Sequence, residues 1–315
     1  MDLKKNHEYF ILMENTSGNT NYTDIARKFL EKFPETDCSL RTMRRKVSDF
    51  LRSPNPSETV SSNKFTKPGL HVVLGCVHAP WHNQVLMDGF IELLSDLKEQ
   101  IVGFHIIGDF LDLNSLSSHE RGKKPLPGVT LEYEYEESSA LLDDIEEVLP
   151  EGIKKSYLYG NHEDRYLRHM SISDNSKYGA SLISPEEGLS LEERGYRIFT
   201  NWKEDYVILG EHLELTHGQY HNIHVAKKHL DTFRGSIMFA HTHRVQTHLE
   251  GTAGAFNIGF MGNIKAPVFN YASRAIKEKW ANGFALVQID EDGYFYVTQI
   301  QCFNDRFYYN GKNYC

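Results

Sequence analysis

Gly108-Asp109-Phe110-Leu111-Asp112 follows an apolar run, Val102 to Ile107, that reads as a buried strand. A carboxylate just past the end of a parallel strand sits at the rim of the sheet, where α/β folds bind ligands. One such aspartate says little. The arrangement recurs, however: Cys76 and His78, Asn161 and His162, His217, and His241 and His243 each follow a strand-like run. These are metal-ligating side chains, spread over about half of the chain. We read Asp109 as a carboxylate shared by two metal ions, with the other residues arranged around it.

Upstream, His71 to Gly75 suits a second buried strand, and Cys76 to His82 forms the loop after it. A helix over 83–98 carries the stripe Leu86, Phe90, Leu93, Leu94 and Leu97. Strand, helix, strand with this crossover length implies a parallel pair. Downstream, 113–130 is a long polar loop with Pro125, Pro127 and Gly128. An acidic helix over 131–148 buries Leu141, Leu142, Ile145 and Val148, and a strand over 154–159 ends at Gly160-Asn161-His162-Glu163-Asp164. A helix from 163 and another over 185–193 follow. Strands 206–209 and 212–216 pair across Gly210-Glu211 and lead into His217-Gly218. A helix over 219–231 carries His221, His224 and His229, and strand 236–240 leads into His241-Thr242-His243. Residues 245–301 alternate and are rich in β-branched and aromatic side chains, as in a second sheet. The aromatic tail, Phe303 to Tyr314, packs at a place the sequence does not give.

Residues 1–60 read as a separate helical unit. Asn21-Tyr22-Thr23 offers N-caps for a helix with the stripe Ile25, Ala26, Phe29, Leu30 and Phe33, ended by Pro34. A second helix, Leu40 to Leu51, carries Arg41, Arg44, Arg45 and Lys46. The pair is loosely helix-turn-helix-like. The unit holds 10 Lys/Arg against 9 Asp/Glu in a chain of net charge −9. That asymmetry lends mild support to nucleic-acid contact through residues 20–52; the favoured reading is a helical appendage that packs on the main domain or mediates self-association, its basic residues forming a solvated face. A Pro/Ser/Asn-rich linker follows, and the main domain spans 64–315.

The net charge excludes indiscriminate binding of nucleic acid by the whole surface. No run of about 18 apolar residues marks a membrane span. The N-terminus leads into no apolar leader, and the four cysteines, Cys38, Cys76, Cys302 and Cys315, are scattered without a CxxC. A cytoplasmic location is the expectation.

Cys76-x-His78, Gly108-Asp109-x-x-Asp112, Gly160-Asn161-His162-Glu163, His217-Gly218 and Ala240-His241-x-His243 resemble, in order, the five motifs of the calcineurin-like metallophosphoesterases. The resemblance spans about 70 to 245. It implies an α/β fold of two stacked mixed β-sheets flanked by helices, with a dimetal centre at the strand ends. It implies a first site of Cys76, His78, Asp109 and His243, and a second of Asp109, Asn161, His217 and His241. His162 would be the catalytic histidine. The implied cofactors are two divalent transition-metal ions (Mn, Fe, Zn or Ni), and the implied partner is a phosphate ester, monoester or diester, attacked by a bridging hydroxide. The ligand types suit those metals better than Mg or Ca, and two ions sharing an anionic ligand sit about 3.5–4 Å apart.

Two positions depart from the pattern. Cys76 stands where the family has aspartate, and Ala240 where it has glycine. As a thiolate, Cys76 binds the same borderline metals and shifts preference toward Fe or Zn; as a thiol, it leaves the first site weak. An added methyl at Ala240 is compatible with the motif.

Asp112 is expected to orient a ligand or cap the following turn. Glu163 and Asp164 are expected to be first-turn carboxylates favoured by the helix dipole. His119, Arg121, Arg165, His221 and Arg244 are candidate contacts to the substrate, with ordinary surface roles as the alternative. His82 and His224 read as surface or core residues, and Trp81 either stacks on a base or packs. The competing functional readings are a non-catalytic nucleic-acid- or partner-binding scaffold, with Cys76 marking decay of the site, and a DNA-targeted nuclease or regulator.

Overall fold

The computed structural model describes residues 22–34, 43, 47, 63–118, 126–171, 182–233 and 235–315. The chain divides into two compact units, Met1–Ser62 and Asn63–Cys315. In the first, helix α1 (Tyr22–Lys32) buries Ile25, Ala26 and Phe29 together with Met43 and Val47. The rest of the basic helix expected over 40–51 lies outside the described residues.

The second unit runs β1 (Lys64–Phe65), β2 (Gly69–Leu74), α2 (Gln84–Asp96), β3 (Ile101–Ile107), α3 (Leu131–Val148), β4 (Lys154–Leu158), α4 (Asp164–Ser171), α5 (Pro185–Gly188), β5 (Tyr196–Phe199), β6 (Val207–Leu209), β7 (Leu213–Leu215), α6 (Val225–Phe233), β8 (Ser236–Phe239), β9 (Val245–Glu250), β10 (Ala253–Ile258), α7 (Arg274–Lys277), β11 (Gly283–Ile289), β12 (Phe295–Gln301), β13 (Phe307–Tyr309) and β14 (Lys312–Tyr314). Two six-stranded mixed sheets result. One has the order β1-β6-β7-β8-β10-β9, the other β12-β11-β2-β3-β4-β5. Within the second, β2 to β5 are parallel, and β11 and β12 are antiparallel additions.

Residues on β2 and β3 alternate between two cores, as strands buried on both faces must. Val72, Leu74, Phe104 and Ile106 join Phe90 and Leu94 of α2 and Leu142 and Ile145 of α3. Val73 and Ile107 face Leu215, Met238 and Ile258 of the other sheet. Asn83 caps α2 by accepting the Leu86 N–H, and Thr130 caps α3 by accepting that of Tyr133. The parallel strands thus all end at one rim, and that rim carries the five motifs.

Three expectations are corrected. Residues 245–301 do not form a sheet of their own: β9 and β10 complete the first sheet, and β11 and β12 extend the second. Apolar alternation marks strands but not their neighbours, and the long turn 259–282 carries the chain between sheets. The helix expected over 219–231 begins only at Val225, so His221 and His224 lie on the loop before it. The helix expected over 185–193 stops at Gly188, after a Ser184 capping box with Glu187. The aromatic tail forms the β13–β14 hairpin, and Phe307 and Tyr314 are buried in the core beside α2.

Candidate metal centre

Cys76 follows β2 by two residues, Asp109 follows β3 by two, Asn161 follows β4 by three, His217 follows β7 by two, and His241 follows β8 by two. The sandwich brings these loops together. Cys76 N–H donates to Gly108 O and His78 N–H to Asp109 O, both at 2.9 Å; Met261 N–H donates to Cys76 O at 3.0 Å. Gly160 is obligatory, because a methyl there would collide with the Asp109 side chain and backbone. A methyl on Gly108 would collide with the His217 ring.

The backbone itself is unusual. Cys76, His78, Asp109, His241 and His243 have positive φ, between 49° and 64°. That conformation costs an L-residue about 1–2 kcal/mol, so five together cost roughly 5–10 kcal/mol. A whole domain's net stability is about 5–15 kcal/mol. Strain concentrated on five residues that all aim polar atoms at one point is the signature of a site rather than of a fold.

The side chains converge in two groups. His78 Nε2 lies 2.9 Å from His243 Nε2. His217 Nε2 lies 3.2 Å from Asp109 Oδ2, 3.0 Å from Asn161 Oδ1 and 3.1 Å from His241 Nδ1. Donor atoms placed tetrahedrally about 2.0–2.1 Å from an ion stand about 3.4 Å apart, so both groups are near ligating separation. Cys76 Sγ is within 4.8 Å of the ligand atoms of His78 and His243, and equally of those of Asp109 and His217. It therefore sits between the two groups. Asp109 likewise reaches both, with Oδ2 4.0 Å from His78 Nε2.

Hydrogen bonds fix the tautomers. His217 Nδ1–H donates to Ile107 O at 2.9 Å, and His78 Nδ1–H donates to Asp112 Oδ2 at 3.1 Å. Both rings thereby turn an Nε2 lone pair inward, as metal-ligating histidines do. At His217 that lone pair meets a carboxylate oxygen, an amide oxygen and another imidazole, with too few hydrogens to satisfy them. At His243, Nδ1 is buried without a partner. A cation relieves the defect at His217, so this donor set fits divalent metal.

The electrostatics agree. Burial opposes ionisation of Asp109, yet His217, His162 and His78 outweigh it and hold its carboxyl well below the usual range. Burial holds His78, His241 and His243 below the ordinary imidazole value, which favours the neutral form that can ligate a metal. At His217 burial is overcome by Asp109, which raises its pKa and marks Nε2 as a place that attracts positive charge. Burial, then Asp109, pushes the Cys76 thiol well above its usual value, against the His241 N–H that donates to Sγ at 3.1 Å. Ala240 is fully buried between the sheets, so its extra methyl is packed rather than merely tolerated.

His162 stands beside the cluster. Its Nδ1–H donates to Asp112 O at 2.8 Å, and its Nε2 accepts from Arg165 Nη2 at 3.1 Å and faces Asp109 Oδ2 at 4.0 Å. Arg165 also donates to Asp112 O at 2.7 Å. His221 Nε2 lies 3.0 Å from His241 Nε2, and Arg244 donates to Asn222 O at 3.0 Å. His119 and Arg121 lie outside the described residues. His224 is exposed, His82 bonds Gln84, and Trp81 packs against the inter-sheet core.

Glu163 is a correction. It precedes α4 rather than lying in its first turn, and it is fully buried. It accepts from the backbone N–H groups of Asp109, Gly160 and Leu111 and from the Tyr157 hydroxyl, at 2.8–3.1 Å. Asp164 keeps the expected role and pairs with Arg168 at 2.6 Å. Three aromatic side chains went unnoticed in the sequence. Trp202 lies 5.9 Å from His241 and Trp280 lies 4.5 Å from His243, ring to ring. Tyr271 is 65% exposed, yet its hydroxyl is pushed up to about 12, by desolvation first and then by Asp112 and Asp109. No spacing signal distinguishes these from core aromatics.

No family model and no curated protein matches the chain. Several solved structures are similar to it. Vps29 complexed with Zn²⁺ from Entamoeba histolytica is 13% identical, over 74% of this chain and 98% of that one, with a TM-score of 0.37. A predicted phosphoesterase from Streptococcus pneumoniae is 15% identical, over 75% and 91%, with a TM-score of 0.31. A cold-active protein-tyrosine phosphatase of a psychrophilic Shewanella is 12% identical, over 76% and 82%, with a TM-score of 0.35. At such identities and scores no chemistry carries over from those proteins. What this chain itself displays is a pair of stacked mixed sheets with the five ordered motifs at their strand ends.

Proposed function

We propose that the chain is a dimetal phosphoesterase that hydrolyses phosphomonoesters or phosphodiesters. The observation that carries this reading is the convergence of Cys76, His78, Asp109, Asn161, His217, His241 and His243 from five loops, five of them in a strained backbone conformation. In this reading Cys76, His78, Asp109 and His243 hold one ion, and Asp109, Asn161, His217 and His241 hold the other. Two such ions, when bound, activate water at neutral pH and neutralise charge on phosphoryl oxygens.

The remaining residues have roles that follow from their contacts. Asp112 orients His78 through Oδ2 and His162 through its carbonyl. His162 turns Nε2 toward the reacting region while Nδ1–H stays with Asp112 O. Nε2 can carry a proton to the departing oxygen once Arg165 turns from it to a phosphoryl oxygen, and Asp112 Oδ2, 3.4 Å from Nδ1, offsets the charge on the ring in that step. Arg165, anchored on Asp112, presents its guanidinium at the same nitrogen and suits a phosphoryl oxygen. The His221 ring supports His241 from the solvent side.

The test pairs metal content with turnover of an aryl phosphate and its diester under Mn, Fe, Zn and Ni. His162→Gln should lose about 10²–10⁴ in rate and keep its metals. Loss of metal in that variant would show that His162 is a ligand and overturn its assigned role.

A further inference from the structure

The turn 259–282, between β10 and β11, forms one wall of the candidate centre. Met261 N–H donates to Cys76 O, Asn263 N–H to Trp81 O at 2.8 Å and Ala281 N–H to His243 O at 2.8 Å. Phe269 packs 5.2 Å from His78 and Trp280 4.5 Å from His243. The inner side of the wall is therefore fixed to the ligands themselves.

Its outer side has a different composition. The turn holds Lys265, Arg274, Lys277 and Lys279 against the single acid Glu278, within a chain of net charge −9. Lys265, Arg274 and Lys279 are exposed. Tyr271 is 65% exposed, and its ring lies 6.4 Å from that of Trp280, the residue beside His243. Across the centre, Trp202 flanks His241 and carries the Lys203 ammonium 5.6 Å over its ring. The positive charge is not confined to the reacting point. The turn carries it in the same stretch as the exposed Tyr271, with Arg274 paired to Glu278 at 2.7 Å and Lys265, Lys277 and Lys279 in excess.

Given the phosphoesterase reading, on which this rests, we infer that the substrate is single-stranded nucleic acid, held by the 259–282 wall through backbone phosphates and by a base stacked on Tyr271. A lone phosphate group needs charge only at the centre. A strand with phosphates on either side of the scissile bond uses charge that continues past it, and unstacked bases use open aromatic rings. A phosphopeptide supplies neither the repeated charge nor the planar bases.

The experiment measures binding of a fluorescent oligothymidylate of about 12 nucleotides to the full chain by anisotropy, at several salt concentrations. It is run beside turnover of a small aryl phosphodiester. Arg274→Ala with Lys277→Ala and Lys279→Ala should weaken oligonucleotide binding by about tenfold or more and flatten the salt slope by about 2. Aryl-diester turnover should be unchanged. Tyr271→Ala should weaken binding about tenfold, and Tyr271→Phe should not. Unchanged oligonucleotide affinity in the triple variant overturns the inference, as does a preference for duplex or for a phosphopeptide. An equal loss of aryl-diester turnover also overturns it, because the wall would then serve the centre and not a strand. If the wild type binds the strand but hydrolyses nothing, the phosphoesterase reading fails and the surface stands.

Discussion

The Glu163 carboxylate accepts the Asp109 backbone N–H at 2.9 Å, so the residue proposed to serve both metal positions is held by a buried carboxylate three positions after Gly160. With four donors on its two oxygens, Glu163 ties the loop after β3 to the loop after β4. Glutamine keeps the shape but turns an NH₂ toward at least one backbone N–H. A buried donor left unsatisfied costs about 1–3 kcal/mol. Glu163→Gln should lower unfolding stability by that amount in urea titration. It should also weaken metal binding, because Asp109 loses its fixed position.

Cys76 is the departure whose outcome is most telling. It lies between both groups of donors, and only a nearby cation can offset the burial that keeps its thiol protonated. Cys76→Ala should weaken one ion by at least the roughly 10–100-fold that losing an outer partner costs. Cys76→Asp should restore it, with preference moving from Fe or Zn toward Mn. Mild peroxide should inactivate the wild type and spare the aspartate variant.

Glu134 supplies a pH dependence away from the ligands. Burial, with a contribution from Asp112, pushes its pKa up to about 7, against hydrogen bonds from Ser115 and Asn114. The unfolded value is 4.5. Between these values the folded chain holds a proton the unfolded chain releases, so stability falls as pH rises from about 4.5 to 7. The span corresponds to a few kcal/mol at most, roughly 3. Glu134→Gln should flatten that slope in denaturation curves taken across the window; an unaltered slope would show that Glu134 titrates normally.

Much of this was legible in the sequence because strand ends are. A run such as Val102 to Ile107 followed by Gly-Asp can be read without coordinates, and five such junctions located all seven proposed ligands. Parallel strands must end on one side, so residues distant in the chain become neighbours. Three things were not legible. Glu163 looks like any acidic residue at a helix start, and only its burial shows that it serves three backbone amides. His221 sits on a loop whose sequence pattern suggests a helix, and its approach to His241 depends on where α6 begins. The turn 259–282 carries no motif, and its relation to His243 follows from a crossover between sheets that apolar alternation does not encode.

The most direct test of the central claim is the number of metal ions per chain, measured by mass spectrometry after equilibrium dialysis of wild type and Asp109→Asn against Mn, Fe, Zn and Ni. The account expects about two ions in the wild type, and at most one in the variant, where both positions lose a shared charge. A wild type that retains none, or an Asp109→Asn chain as well loaded as the wild type, would contradict it.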